Sequence, residues 1–374
     1  MQKYKKNGIF GIISSKNNRI LAYLKKKHYF CSRNEEDSRI RQSESNDNRT
    51  RRHPVDLLAG HLFLETAMSN QKPRTIEEQI RLLRSRGMAF GNEEEAKQCL
   101  AHISYFRLKY YWTDMQDEET EHDFKKGALF DDVIARYNFD RNLRLILFDA
   151  IEIIEVALRA KIINHLSQAK GSGLWYLDSS LFERKDYYEN FVFDLKHEFD
   201  RSTEPFAKEY ISEHPNWDWE SMEGDNPDAW MILESATFGT LSKMYKNLKS
   251  QLPERAAIAN DFGLYSAKEL SSWLEAISVL RNIIAHHSRL WNRSLAKQVT
   301  NPKGHRDKWL LNPLTDNQKK KPYGVITAML YLCNAVYPEN QIKEKLLALI
   351  DNNTSIPYYK YGFTGDWRKE PIWR

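Results

Sequence analysis

From about Leu129 to Ser167 apolar residues recur at steps of three and four, with almost no helix breaker, through "LFDDVIARYNFDRNLRLILFDAIEIIEVALRAKIINHLS". A run of this length and period reads as one or two long helices that the rest of the chain must pack around. The segments on either side carry helix signals as well. Thr75 with Glu78 forms a capping-box pair ahead of Ile76, Ile80 and Leu83, with Gly87 as the stop, and Asn92 restarts a helix with acids in its first turn. A loop rich in tryptophan leads into a helix near Pro227, Ser266 caps "SAKELSSWLEAISVLRNIIAHHSRLWN", which places the whole motif on a helix, and "KPYGVITAMLYLCNAV" and "QIKEKLLALIDN" supply two more helices. Strand-like alternation is scarce, so the fold class is all-α.

The chain of 374 residues has 41% hydrophobic content, enough for a real core, and its apolar runs are too short or too charged to cross a bilayer. Three scattered cysteines, Cys31, Cys99 and Cys333, without metal-ligand spacing fit a reducing compartment, so the cytoplasm is the expected location and no membrane partner is expected. The net charge of +5 is unevenly spread: residues 1–67 carry fourteen Lys or Arg against seven Asp or Glu, and the remainder 42 against 44. A nucleic-acid site in the body must therefore be a local basic patch.

Residues 281–293, "RNIIAHHSRLWNR", place polar and cationic side chains at the end of an apolar helix. Asn282 and His286 are four apart and share a helical face, which Arg289 and Arg293 extend at offsets of seven and eleven, and Arg281 lies one step round. An imidazole that exchanges a proton near neutral pH, beside a guanidinium whose fork matches a phosphate, suits RNA cleavage without a metal or other cofactor. In this scheme a ribose 2′-hydroxyl attacks the adjacent phosphate, His286 serves as general base or acid, Arg281 stabilises the phosphorane charge, and Asn282 orients imidazole or phosphate. His287, Arg289 and Arg293 would hold RNA. The plain alternative is a helix end whose cations answer the negative pole of the helix dipole.

The motif resembles the signature of the Abi-like abortive-infection family, of AbiD and AbiF type, and more widely the Arg, four to six residues, His motif of HEPN-superfamily RNases. "EEQIRLLRSRGM", "ISYFRLKYYW", "FDRNLRLILFDAIEIIEVALRAKI", "AWMILESATFGTLSKMYKNL" and "YGFTGDWRKEPIW" are similar to segments of that family in its usual order. The resemblance implies a HEPN-type helical bundle with additional N-terminal and C-terminal helices and a metal-independent endoribonuclease in phage defence or as a toxin, usually a homodimer that pairs two motifs. The division expected is 68–128 for N-terminal helices, 129–300 for the core with the motif, and 301–374 for C-terminal helices and tail. A binding protein that holds a structured small RNA partner without cutting it is the rival reading.

Arg159 and His165 in "ALRAKIINHL" fit Arg, five residues, His and are a candidate second half-site, although Glu155 offers Arg159 an ordinary i,i+4 ion pair. Arg107 and Lys109, among aromatic residues in "HISYFRLKYYW", have the composition of an RNA contact, and the same aromatics suit a core. Trp291 reads as a packing anchor, and Glu234 as a partner for a motif arginine.

Residues 1–67 fall outside the resemblance; "SRNEEDSRIRQSESNDNRTRR" is polar and aperiodic, the composition of a segment that does not order itself. They read as a basic extension or as a start assigned upstream of Met68. A chain beginning at Met68 is expected to fold, dimerise and keep its toxicity. Loss of RNA binding on this truncation, or a much weaker salt dependence of that binding, would show that the basic arm contacts phosphates.

Overall fold

The computed structural model of the chain describes residues 73–120 and 122–374. The expected extension at 1–67 lies outside the described residues. Among them the secondary structure is thirteen α-helices, short 3-10 turns and isolated bridges, with no strand. In chain order the helices are α1 Ile76–Ser85, α2 Glu93–Ile103, α3 Tyr105–Trp112, α4 Phe130–Lys170, α5 Lys185–Asp200, α6 Pro205–Glu213 and α7 Ala229–Ile232. They continue with α8 Phe238–Asn247, α9 Pro253–Asp261, α10 Ala267–Ala285, α11 Asp316–Lys320, α12 Pro322–Val336 and α13 Ile342–Asp351.

The long periodic stretch is one helix, α4, 41 residues and therefore about 60 Å long. It ends where Gly171 takes the left-handed conformation, φ 60°, at which a side chain would be strained. α3, α8, α9, α10, α12 and α13 all pack on α4, so it is the spine of the fold. Its inward face is lined by Leu143, Leu147, Ile151, Ile154, Leu158 and Ile162, all buried. One stripe stays outside: Arg141, Leu145, Phe148, Glu152, Val156 and Ala160, spaced by three or four, are exposed. Leu145, Phe148 and Val156 make that stripe apolar at its middle.

The expected caps form. Thr75 and Glu78 close the capping box of α1, the Asn92 side chain accepts from the Glu94 and Glu95 amides, and the Ser266 hydroxyl accepts from the Glu269 amide at the start of α10. Gly87 follows α1 at φ 94°. Near Pro227 the chain makes only the single turn α7, followed by a 3-10 turn, before Thr237 caps α8.

The stretch that begins at Asn92 is two helices, not one. Ser104 at φ 73° breaks it, and the Ser104 hydroxyl accepts from the Arg107 amide to start α3. The break turns Leu108, Tyr111 and Trp112 into the core and leaves Phe106, Arg107, Lys109 and Tyr110 exposed. No helix among the described residues is long and apolar enough to cross a membrane.

Candidate active site

α10 delivers the motif. Leu270, Trp273, Leu274, Ile277, Leu280 and Ile284 are buried along one side, and Trp273 donates its indole N–H to the Thr300 carbonyl, which fixes the helix in rotation. Arg281 and Asn282 then occupy its last turn, Arg281 half-buried and Asn282 exposed.

The helix stops at Ala285, with His286 as its C-cap and His287 at φ 54°. The His286 amide donates to Asn282 O at 3.1 Å, that of His287 to Ile284 O at 2.8 Å and that of Ser288 to Ile283 O at 2.9 Å. These bonds satisfy carbonyls left open at the helix end, and a histidine stands where glycine is the usual residue. The left-handed backbone costs a non-glycine residue about 1 kcal/mol or more. It corrects the expectation that Arg289 and Arg293 prolong the helical face of Asn282 and His286, because the helix has already ended.

Beyond the turn the chain is tied down by one buried carboxylate. Asp140 of α4 has no solvent exposure. Its oxygens accept from the Leu290 amide at 3.1 Å, the Trp291 amide at 2.8 Å, the Tyr111 hydroxyl at 2.8 Å and the Tyr361 hydroxyl at 3.0 Å, and Arg144 pairs with it one turn along the same helix. Every partner is a donor, so the geometry requires the ionised carboxylate. Burial pushes the Asp140 carboxyl up from its ordinary value, while Arg144, the two hydroxyls and the Leu290 amide draw it down. Burial also raises the Tyr111 hydroxyl, and the Asp140 charge adds to the rise. Trp291 fills the space beside this network, buried against Tyr111 and Tyr361 and with the Arg136 guanidinium 4.9 Å from its ring centre. It is the packing anchor expected.

The cations of the motif are thereby sorted. Arg289 donates to the Trp291 carbonyl and lies 4.8 Å from the Tyr110 ring centre. Arg293 donates to the Arg289 carbonyl at 3.1 Å, and its half-buried guanidinium has a lowered pKa, chiefly from burial and then from Arg289. His286 and His287 are exposed, and the His287 carbonyl accepts from Arg107 Nη1 at 2.7 Å. Lys109 is exposed on the same short helix α3.

Arg281 points into a groove on α4 of about 170 Å³, lined with Phe148, Ile151, Glu152, Glu155, Val156 and Arg159. Burial raises the pKa of Glu155, opposed by Arg159 and then by Arg281, which lines the same groove. Arg159 bonds to Glu155 at 3.2 Å and to the Leu233 and Ala236 carbonyls at 2.9 and 3.1 Å. Its other carboxylate neighbour is Glu234 at 3.7 Å, which therefore serves Arg159 and not a motif arginine as expected.

Arg159 and His165 are not brought together as a half-site. His165 Nε2 pairs instead with Asp261 at 2.9 Å, beside Lys161 at 3.1 Å. Among the described residues, no group of three or more His, Cys, Asp or Glu is arranged to hold a metal ion.

A family model described as Abi-like protein matches residues 98–292. The chain belongs to the Abi-like family. Membership makes it a protein of abortive-infection phage defence. No curated protein and no solved structure matches it. The matched residues of this Abi-like protein run from α2 to Asn292, so they include the motif up to its last arginine, the groove, Arg107 and Asp140 but stop short of Arg293 and Tyr361.

In the sequence Asp140 stands in "FDRN" with no local signal that marks it as an anchor. Replacing it by asparagine puts an amide among donors and leaves Arg144 buried without its counter-charge. Asp140→Asn is expected to cost about 3–5 kcal/mol of stability, measured by urea unfolding. A loss below about 1 kcal/mol would show that the carboxylate does not anchor the motif.

Proposed function

We propose that this Abi-like protein is a metal-independent endoribonuclease of the HEPN type, acting in phage defence or as an RNA-cleaving toxin. The observation that carries the reading is the placement of Arg281, Asn282 and His286 on the last turn of α10, where Asp140 fixes the chain that follows. In the reaction the ribose 2′-oxygen attacks the neighbouring phosphorus, its proton passes to an imidazole, and the 5′-oxygen leaves with a proton from a second imidazole. The products are a 2′,3′-cyclic phosphate and a 5′-hydroxyl end. Arg281 balances the charge on the non-bridging oxygens, with Asn282 orienting the phosphate, and the Glu155 carboxylate in the same groove answers the Arg281 charge. His287, Arg289, Arg293, Arg107 and Lys109 contribute contacts to the RNA backbone.

His286→Ala is expected to lower the rate of RNA cleavage by at least about 100-fold while RNA still binds, and Arg281→Ala to lower it by a similar factor. Cleavage is expected to continue in EDTA, and the new 5′ ends to be hydroxyls. Full growth arrest and cleavage by His286→Ala would leave a binding protein for a structured small RNA as the reading.

One chain offers one motif imidazole pair at one helix end, whereas the reaction uses a base and an acid on opposite sides of the phosphate. We place the second in another copy of the chain. The exposed stripe Leu145, Phe148 and Val156 flanks the Arg281 groove, and apolar surface in that position suits a second copy that brings its own α10 end to the groove. Phe148→Glu is expected to convert a dimer to a monomer in light scattering and to remove cleavage. A monomeric wild-type chain that cuts RNA would overturn the pairing.

A further inference from the structure

The exposed face of α3 sits beside the motif, yet the proton transfers do not use it. Phe106 is 67% exposed and Tyr110 38% exposed, and their rings meet edge to face with centroids 5.7 Å apart. The T-shaped pair leaves ring surface exposed, most of it on Phe106, unlike the aromatic residues Tyr111 and Trp112 that the same helix buries. The pair is framed by cations. Arg107 lies between them in sequence and reaches the His287 carbonyl, Arg289 lies against Tyr110, and Lys109 is exposed. The helix Tyr105–Trp112 carries no acidic residue.

The two non-glycine residues joined through this face both have left-handed backbones. Ser104, at φ 73°, sets the direction of α3, and His287, at φ 54°, presents the carbonyl that Arg107 takes. Positive φ at His287, one end of that contact, and at Ser104, three residues before the other, is the kind of strain found at surfaces held in place for a ligand.

We propose that Phe106 and Tyr110 form a stacking platform for an unpaired base next to the phosphate held at His286, so that the substrate class is single-stranded or looped RNA and duplex is refused. The proposal rests on the reading of the motif as an RNA site. Bases within a duplex have no free face to offer an aromatic ring, whereas an unpaired base stacks on one whatever its identity. Arg107, Lys109 and Arg289 supply the positive charge that the flanking phosphates require. The platform thus selects unpaired RNA and leaves its sequence open.

The test measures binding in the full chain carrying His286→Ala, so that the RNA survives. The probes are a fluorescein-labelled single-stranded oligoribonucleotide and the blunt duplex of the same sequence, read by anisotropy. The single strand is expected to bind at least about tenfold more tightly, and adding Phe106→Ala or Tyr110→Ala to weaken it by about tenfold while Tyr110→Phe does not. An abasic nucleotide stepped through the strand is expected to weaken binding at one position, and to do so no longer once Phe106→Ala is present.

Equal affinity for strand and duplex overturns the platform, as does unchanged affinity of Phe106→Ala. So does a change of oligomeric state in Phe106→Ala by light scattering that accounts for the loss, because the face would then be a protein contact. Failure of the cleavage reading appears separately, as wild-type protein that binds the strand without cutting it. Binding of neither RNA by any variant overturns both.

Discussion

A single buried carboxylate holds the end of the motif helix where it is. Asp140 collects the amides of Leu290 and Trp291 from the segment after the motif, a hydroxyl from α3, a hydroxyl from the C-terminal 3-10 turn and the Arg144 guanidinium from its own helix. Taking an ion out of water costs several kcal/mol, and the arrangement is tolerable only because every lone-pair direction meets a donor. The network is therefore all or nothing: each donor compensates the same charge, and removing one exposes the others to its cost. Such a centre fixes the relative position of four chain segments more firmly than apolar packing, which accepts small slides.

That firmness matters because the residues it serves lie at a helix terminus, where chains ordinarily fray. His286 and His287 occupy the turn itself. The helix-ending bonds of His287 and Ser288 hold one side of it, the amides of Leu290 and Trp291 on Asp140 hold the other, and Arg107 caps the carbonyl between. The proton transfers we propose would tolerate errors of only fractions of an ångström, and the exposed imidazoles have support of this kind from their own backbone. The α4 spine provides it for the turn through Asp140, and it lines the groove at Arg281 with the Glu155 carboxylate.

Much of this was legible in the sequence because it is local. The period of α4, the capping box at Thr75, the cap at Ser266 and the packing role of Trp291 each depend on neighbours within a turn or two, or on plain hydrophobic burial. What stayed hidden depends on partners far along the chain. Asp140 meets Leu290 some 150 residues away, and in "FDRNLR" it looks like one more solvated acid among arginines. Ser104 and His287 adopt left-handed backbones that their residue types disfavour, so no propensity argument finds the break in "AHISYF" or the end of α10 inside "IIAHHS". The pairing of Arg159 with Glu155 was readable at i,i+4. Its further hold on the Leu233 and Ala236 carbonyls was not.

The tail shows how far the support extends. Tyr361, whose hydroxyl completes Asp140, belongs to the 3-10 turn Tyr358–Tyr361, well past the family match that ends at Asn292. Its ring packs against Phe139 and Trp291, and Gly362, at φ 96°, lets the chain turn where a Cβ would strike Lys321. Phe363, Trp367 and Trp373 then stack on one another and on Tyr323 of α12. The aromatic run "YGFTGDW" is thus more than a closing hydrophobic patch. It carries a hydroxyl to the carboxylate beneath the motif, so the last helices and the tail are part of the scaffold of the site rather than an appendix to it.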